Sequence, residues 1–148
     1  MKKFWSYFVF YLIQWTWGIL MNIVGAFVAL GMICTGHKPY RCGPYVYFRT
    51  KWNFGGVEFG IFFIIGEQCD SCACHEMGHG LQNLWFGPFS AFLSIGSAIR
   101  YWYRELKYYK RGKYPLTDYD AWWFEGQATK LGTKVWGDMW KEHCKKYR

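Results

Sequence analysis

The hydrophobic pattern of this chain begins with a long uncharged run. From Phe4 to Cys34 there is no charged residue, and Gln14 and Asn22 are the only amides. Because roughly 20 apolar helical residues cross the hydrocarbon core of a bilayer, the run is long enough for a transmembrane helix. A cleaved signal peptide is the alternative, although its apolar region would span only about 7–15 residues. We therefore predict that residues 1–35 form a membrane anchor, followed by one domain over residues 36–148.

Two shorter runs after the anchor have the composition of β-strands. Residues 36–44 contain Gly and Pro and indicate an irregular connection. Residues 45–50 (YVYFRT) and 57–65 (VEFGIFFII) are rich in aromatic and β-branched side chains, and residues 53–56 (NFGG) supply a turn between them. The pattern predicts a short antiparallel β-hairpin.

The segment 72–86 is predicted to be an α-helix. Asp70 or Ser71 is a suitable N-cap, and Gly87-Pro88 ends the helix because proline cannot continue it. The next apolar segment, near 88–103, has about 15 residues and is short for a full membrane crossing. We predict an interfacial or re-entrant segment or a buried helix there, with a second membrane span, and hence a double-pass protein, as the alternative.

A last helix is predicted from about Tyr119 to Trp136. Thr117 or Asp118 would cap its start, and Gly137 would end it and leave a short basic tail. The elements together predict an α+β protein with an N-terminal transmembrane helix, a β-hairpin and a helical core.

The composition indicates contact with a membrane surface. Aromatic residues make up 24% of the 148 residues and include ten Trp, and such side chains favour the membrane–water interface. The net charge is +8, and eleven of the eighteen Lys and Arg follow Tyr103. Anionic lipid headgroups are the partner that this charge favours, and a solvated basic surface is the alternative. Nucleic acid is not an expected partner, because no nucleic-acid-binding motif accompanies the charge.

The residues that flank the apolar run predict its orientation. Four basic residues follow it closely, between positions 38 and 51, and only Lys2 and Lys3 precede it. Cys69, Cys72 and Cys74 are crowded in a way that suits reduced thiols. Both features place the bulk of the chain on the cytoplasmic side of the membrane.

One motif indicates a specific chemistry. Residues 75–79 read His-Glu-Met-Gly-His, an HExxH pattern that contains two of the four His of the chain. Residues four apart lie on one face of a helix, so His75 and His79 can bind one metal ion, for which Zn²⁺ is suited. Glu76 is then placed to take a proton from a metal-bound water.

A catalytic zinc site normally has three protein ligands, so a third is required. Glu125 is the leading candidate, because it lies in an aromatic stretch of the last predicted helix, where an unpaired carboxylate is costly to bury. The small residues Gly126 and Ala128 would let two helices approach closely. The other candidates are Asp118, Asp120, His143 and the cysteines before the motif.

The cysteines offer a different metal site. Cys69, Cys72 and Cys74 could hold a structural zinc, with His143 or Cys144 completing the ligand set. However, Cys72 and Cys74 are two residues apart and face away from each other on a helix. Small residues packed under the motif helix are therefore the favoured interpretation.

The segment HEMGHGLQNLWFGP, followed by a serine-bearing apolar segment and then WFEGQATKLG, resembles small bacterial membrane proteins related to zinc metallopeptidases. The resemblance covers residues 74–132. It implies a gluzincin-like site in which His75, His79 and Glu125 bind zinc and Glu76 is the general base. It also implies a zincin-like core, with the motif helix packed against the C-terminal helix, in the bacterial cell membrane.

One further position matches the resembled motif, and another departs from it. Gln82 matches the motif helix but has no assigned role. Thr129 stands where an acidic residue often occurs in the second element. Gln82 and Asn83 also make the motif helix more polar than that of an intramembrane protease, so we expect a juxtamembrane site.

Two functions fit these observations. The first is a membrane-anchored zinc-dependent hydrolase, specifically a metallopeptidase acting on a peptide or protein substrate. The alternative is a non-catalytic membrane scaffold with a structural or vestigial metal site, which the roughly 110 residues left after the anchor would favour.

Overall fold

The computed structural model describes residues 2–51, 55–67, 72–111 and 121–147. These residues form an α+β fold with five helices and one four-stranded sheet, which confirms the predicted fold class. In chain order the elements are α1 (Lys2–Thr16), α2 (Ile19–Cys34), β1 (Pro39–Cys42), β2 (Tyr45–Thr50), β3 (Gly56–Phe59), β4 (Phe62–Gly66), α3 (Cys72–Phe86), α4 (Phe89–Arg111) and α5 (Trp123–Tyr147).

The sheet differs from the predicted antiparallel hairpin. Its strand order is β1-β2-β4-β3, and β2 pairs with β4 in parallel, with Val46 opposite Phe62. The second predicted strand is divided by a turn at Gly60-Ile61, and its two halves form the hairpin β3–β4. Gly60 has a φ of 70°, which glycine adopts without steric cost. The predicted pairing was therefore wrong because one run contains two strands.

Strand β1 lies in the segment that was predicted to be an irregular connection. It pairs with β2 in antiparallel fashion across the turn at Gly43-Pro44, with Cys42 opposite Tyr45. Pro39 begins this edge strand, a position where a missing N–H is tolerated. The strand is four residues long, too short to show an alternating pattern.

Successive side chains of a strand point to opposite faces of the sheet, and helices cover both faces here. One face packs against α1, α3 and α5. The buried members of this main core include Phe10, Tyr45, Tyr47, Phe63, Ile65, Met77 and Trp140. On the other face, Phe48 and Ile64 pack against Ala29 and Met32 of α2. The motif helix α3 therefore lies on a rigid sheet.

The uncharged N-terminal run is two helices, where one transmembrane helix was predicted. The apolar part of α1, Ser6–Thr16, and the whole of α2 are bent by 92° relative to each other. Within the described ranges, no single helix is long and apolar enough to cross a membrane, although this bent pair together meets the requirement. A broken span, a re-entrant loop and a signal sequence all share this property, so the pair is weak evidence for a membrane segment.

Buried amides hold the bend in place. Asn22 Nδ2 donates to the carbonyl oxygens of Gln14 and Gly18, at 2.7 and 2.9 Å, which lie at the break. Gln14 Nε2 donates to the Gly80 carbonyl oxygen at 2.7 Å, and Asn83 Nδ2 donates to Gln14 Oε1 at 2.6 Å. All three amide side chains are fully buried. They connect the N-terminal helices to α3 one turn beyond the HExxH motif.

Helix α3 has the predicted bounds and ends at Gly87, which has a φ of 52°. The apolar segment near 88–103 is part of α4, which continues to Arg111. Helix α5 passes through Gly137, its predicted end, and reaches Tyr147. A glycine inside a helix costs only about 1 kcal/mol, so it does not by itself end one. The predicted N-caps lie outside the described residues: Asp70, Ser71, Thr117 and Asp118.

Helices α3 and α5 pack against each other, as predicted, and approach closely at two glycines. A Cβ on Gly78 would overlap the carbonyl oxygen of Ala128, and a Cβ on Gly132 would overlap that of Cys74. The contact is therefore backbone against backbone. It places Glu125, in the first turn of α5, over the motif helix.

Candidate metal centre

Three side chains from α3 and α5 converge on one point. His75 Nε2 and His79 Nε2 lie 3.0 and 3.2 Å from Glu125 Oε2, and 3.1 Å from each other. One helical turn separates the two imidazoles, and the α3–α5 contact supplies the carboxylate. The structure thus brings together all three residues that the sequence predicted as metal ligands.

The geometry of this triad fits a small metal ion. Ligand bonds of about 2.0–2.1 Å at tetrahedral angles require about 3.3 Å between ligand atoms. The observed separations of 3.0–3.2 Å are close to that value. Two imidazoles and a carboxylate also match the ligand types of a three-ligand catalytic site. Among the described residues, this is the one group of three that could hold a metal.

Glu125 is held as a carboxylate in a fully buried position. Burial alone would raise its pKa, but hydrogen bonds with His75 and His79 and from Ser97 hold the pKa far below its ordinary value of 4.5. The Ser97 hydroxyl, on α4, donates to Glu125 Oε1 and leaves Oε2 facing the imidazoles. Three helices therefore fix the direction of this ligand.

Gln82 fixes the proton position on His79. Its Nε2 donates to the Phe124 carbonyl oxygen at 2.8 Å and to Gln127 Oε1 at 3.0 Å. Its Oε1 must then accept the hydrogen bond of 2.8 Å from His79 Nδ1. With Nδ1 bonded to Gln82, Nε2 is the nitrogen that faces Glu125, where it donates to the carboxylate when protonated and can bind a metal when unprotonated. No role could be predicted for Gln82 from the sequence, and in the structure its contact with Nδ1 orients His79.

His75 has a corresponding partner in Thr129. His75 Nδ1 lies 2.8 Å from Thr129 Oγ1, and this contact leaves Nε2 as the ring nitrogen that faces Glu125. A carboxylate is the common partner of a metal-binding imidazole, and Thr129 is a neutral one. In the resembled element this position often holds an acidic residue. Here it holds Thr129, which contacts the candidate ligand His75.

Replacing Thr129 by Val is expected to weaken zinc binding by about 10–100-fold, since outer partners of metal ligands have effects of that size. Val keeps the β-branched shape and removes only the hydroxyl. The measurement is competition with a chromogenic chelator in detergent. Thr133→Val, on an exposed position one turn later, is the matched control. Equal affinities for Thr129→Val and wild type would contradict this role of Thr129.

Glu76 lies in the same pocket and faces the edge strand of the sheet. A Cβ on Gly56 of β3 would come within 2.6 Å of Glu76 Oε1, so the carboxyl packs directly on that backbone. Glu76 is buried, and burial raises its pKa above 4.5 while His75 and His79 lower it. A raised pKa suits a carboxylate that accepts and returns a proton near neutral pH.

A pocket of about 620 Å³ opens beside the triad, with walls from α3, α4, α5 and β3. Helix α4 contributes Ser94, Ser97 and Tyr101, which the sequence analysis did not select. Their spacing of three and four residues within an apolar segment is the signal that would have marked them as one helix face. The predicted interfacial segment is thus also a wall of the candidate site.

Glu58 is a second buried carboxyl in the pocket wall. Burial and the neighbouring Glu76 raise its pKa well above 4.5, although the Gly60 backbone N–H opposes the shift. Its Oε1 has no hydrogen-bond partner among the described atoms. A second buried carboxyl with a raised pKa therefore lies near Glu76.

The other predicted ligands do not join the triad. His143 Nε2 lies 2.8 Å from the Tyr47 hydroxyl, and its ring stacks on Trp140, away from the pocket. This excludes His143 both as third ligand and as a donor in the pocket. Asp118, Tyr119 and Asp120 lie outside the described residues.

The cysteines do not form the alternative zinc site. Cys72 is disulfide-bonded, so its sulfur is not a thiolate ligand, and the prediction of reduced thiols was wrong for this residue. Cys74 and Cys144 carry thiols and not disulfides, and Cys69 lies outside the described residues. Burial raises the pKa of the nearby Cys42 thiol to about 12, which makes it a poor ligand.

Comparison of the chain with protein-family models, with curated proteins and with solved structures found no match. The likeness to membrane zinc metallopeptidases therefore rests on the motif elements. Its structural support is the group formed by His75, His79 and Glu125, which could bind a metal.

Proposed function

We propose that this protein is a membrane-associated, zinc-dependent hydrolase that cleaves peptide bonds. The observation that carries the proposal is the pocket beside the His75–His79–Glu125 triad, which also contains Glu76. A structural metal site is closed by a fourth protein ligand. Within the described part of the chain, this triad has no fourth His, Cys, Asp or Glu ligand and faces open space.

Each residue then has a defined task. A zinc ion held by the triad would supply a Lewis acid that polarises the substrate carbonyl and lowers the pKa of a water. Glu76 would accept a proton from that water on its carboxylate and deliver it to the leaving amine. Tyr101 lies one turn from Ser97 on α4, and its hydroxyl would donate a hydrogen bond to the developing oxyanion.

Strand β3 supports a peptide substrate in particular. It is an edge strand of the sheet, and its residues Gly56 and Val57 line the pocket. An edge strand can pair with an extended peptide through its free backbone groups. A peptide held there would lie next to Glu76 and the triad.

The exposed apolar surface supports membrane association. Helices α1 and α2 expose large apolar side chains along much of their length, among them Leu12, Trp15, Phe27 and Leu30. We assign the bent helix pair to the bacterial cell membrane. We place the metal site on the cytoplasmic side because the flanking basic residues favour it, although the disulfide of Cys72 is more typical of an oxidising compartment.

Metal content tests this proposal directly. Wild-type protein purified in detergent is expected to contain about one zinc per chain by elemental analysis, and Glu125→Ala to lose it, because two imidazoles alone leave the ion underligated. Glu142→Ala, at an exposed position of α5, is the matched control. Zinc-free wild-type protein would favour the scaffold alternative. Zinc retained in Glu125→Ala would move the search for the third ligand to Asp118 or Asp120.

A further inference from the structure

Helix α4 carries two side-chain stripes that lie next to each other. Ser94, Ser97 and Tyr101 line the metal pocket. At about 100° per residue, a second stripe lies beside them on the same helix. It consists of large exposed apolar side chains, which are Phe92, Ile95, Ile99, Trp102 and Leu106. Their exposed fractions range from 58 to 68%, and on one helix face they form a contiguous exposed apolar stripe.

Trp102 joins the two stripes. Its ring is 64% exposed, and it also lines the pocket beside the triad. Ala98, one turn earlier, lines the pocket as well. Ala98 and Trp102 therefore form an apolar connection between the outer stripe of α4 and the pocket, and Glu105 lies one turn further along that face.

The outer surface continues onto a second helix. Helix α2 contacts α4 and exposes its own apolar side chains. Those on α2 are Ile19, Leu20, Ile23, Val24, Phe27, Leu30 and Ile33. A soluble surface rarely contains an apolar patch that extends over two helices. Contact with lipid chains would remove the free-energy cost of exposing this patch to water.

The end of α4 has the composition of a headgroup region. Tyr101, Trp102 and Tyr103 are exposed, and Lys107 Nζ lies 5.6 Å from the Tyr103 ring. Aromatic rings beside cationic side chains occur at the level of anionic headgroups. The apolar stripe toward the start of α4 would then lie in the acyl region.

We propose that α4 lies in the membrane interface and that the pocket receives, from the bilayer side past Trp102, the apolar segment of a membrane-embedded peptide. This inference rests on the proposed hydrolase function and names its substrate class. The reaction is an ordinary hydrolysis: the amide C–N bond breaks, the acyl carbon gains the water hydroxyl, and the amine gains a proton. A polar soluble peptide would lack the apolar groups that match this path.

The test compares two substrates with the same randomised peptide cassette. In one, the cassette follows an apolar transmembrane segment in vesicles of phosphatidylethanolamine and phosphatidylglycerol; in the other, it is part of a soluble carrier. Mass spectrometry quantifies the cleavage products. Wild-type protein in the vesicles is expected to cleave the embedded cassette about tenfold faster or more, because burial of even one large apolar side chain strengthens binding by about that factor.

Ile99→Glu tests the outer stripe. A charge there is expected to lower cleavage of the embedded substrate about tenfold or more. Zinc content and cleavage of the soluble carrier should stay near wild type, because Ile99 is exposed and does not line the pocket. Val135→Glu, an exposed apolar position on α5, is the matched control and should change neither rate. Equal cleavage of both substrates by the wild type would overturn the inference.

A photoactivatable phospholipid in the same vesicles provides a measurement that is independent of activity. It is expected to label α4 between Phe92 and Ile99, and absence of label there would overturn the membrane position of α4. Labelled α4 and bound zinc without cleavage of either cassette would instead overturn the proposed hydrolase function, and the substrate class with it.

Discussion

Replacing Glu76 by Gln is expected to reduce peptide hydrolysis by about 10³-fold while the zinc content remains near one per chain, since general acid–base catalysis contributes about 10²–10⁴-fold. Gln keeps the size and hydrogen-bonding shape of Glu but cannot accept the proton. The metal ligands His75, His79 and Glu125 are unchanged, so zinc should remain bound. The measurement is zinc content and cleavage rate on the same preparation.

We expect Glu76→Gln to remain as stable as the wild type, so unfolding should not explain its loss of hydrolysis. Glu76 is buried and its pKa is raised, so the folded state carries a cost for ionising it that Gln does not have. Glu76→Gln should therefore unfold at the wild-type temperature or above it. Glu142→Gln, at an exposed position of α5, is the control and should retain full activity. Unreduced hydrolysis by Glu76→Gln, or loss of its zinc, would disprove the role of general base.

The three residues of the candidate metal site could be predicted because local geometry determines most of their arrangement. His75 and His79 are one helical turn apart, and the regular backbone of α3 alone places them together. Glu125 required a second argument, that a carboxylate among aromatic residues needs a cation. The residues that orient the ligands, Gln82 and Thr129, could not be assigned, because their partners depend on how α3 and α5 pack.

The strand pairing could not be predicted for a different reason. The run VEFGIFFII has the composition of one strand, and only Gly60 marks the turn that divides it. Once the run is divided, β4 takes the place between β2 and β3, and the β2–β4 pair becomes parallel. The pairing of β2 with β4 depends on how the helices pack on both faces of the sheet, and a local sequence pattern does not show that packing.

Only two residues in the sequence indicate the bend between α1 and α2. Gln14 and Asn22 interrupt the apolar run, and each was consistent with a continuous membrane helix. In the structure both amides are buried at the break, and Gln14 reaches Gly80 of the motif helix. Amides inside an uncharged run are thus evidence for a buried polar contact, because an unpaired amide is costly in an apolar environment.

Replacing Gly132 by Ala is expected to destabilise the protein by about 1–3 kcal/mol or more and to weaken zinc binding, because it overfills a closed contact. The new Cβ would overlap the Cys74 carbonyl oxygen and lie 2.7 and 3.0 Å from the Cys74 carbonyl carbon and the Gly78 nitrogen. These are backbone atoms of α3, so no side-chain rotation can relieve the overlap. Helices α3 and α5 must separate, and Glu125 then moves away from His75 and His79.

Gly137→Ala on the same helix is the matched control and should have the opposite effect. The nearest atom to its Cβ is Thr133 Cγ2 at 3.8 Å, an ordinary contact. Ala in a helix interior is more favourable than Gly by about 0.5–1 kcal/mol, so this variant should unfold at a higher temperature and keep its zinc. Thermal unfolding in detergent and zinc content measure both variants. Stability changes of the same sign in Gly132→Ala and Gly137→Ala would show that helix propensity, and not the α3–α5 contact, determines the outcome; loss of zinc in Gly132→Ala alone ties the metal centre to that contact.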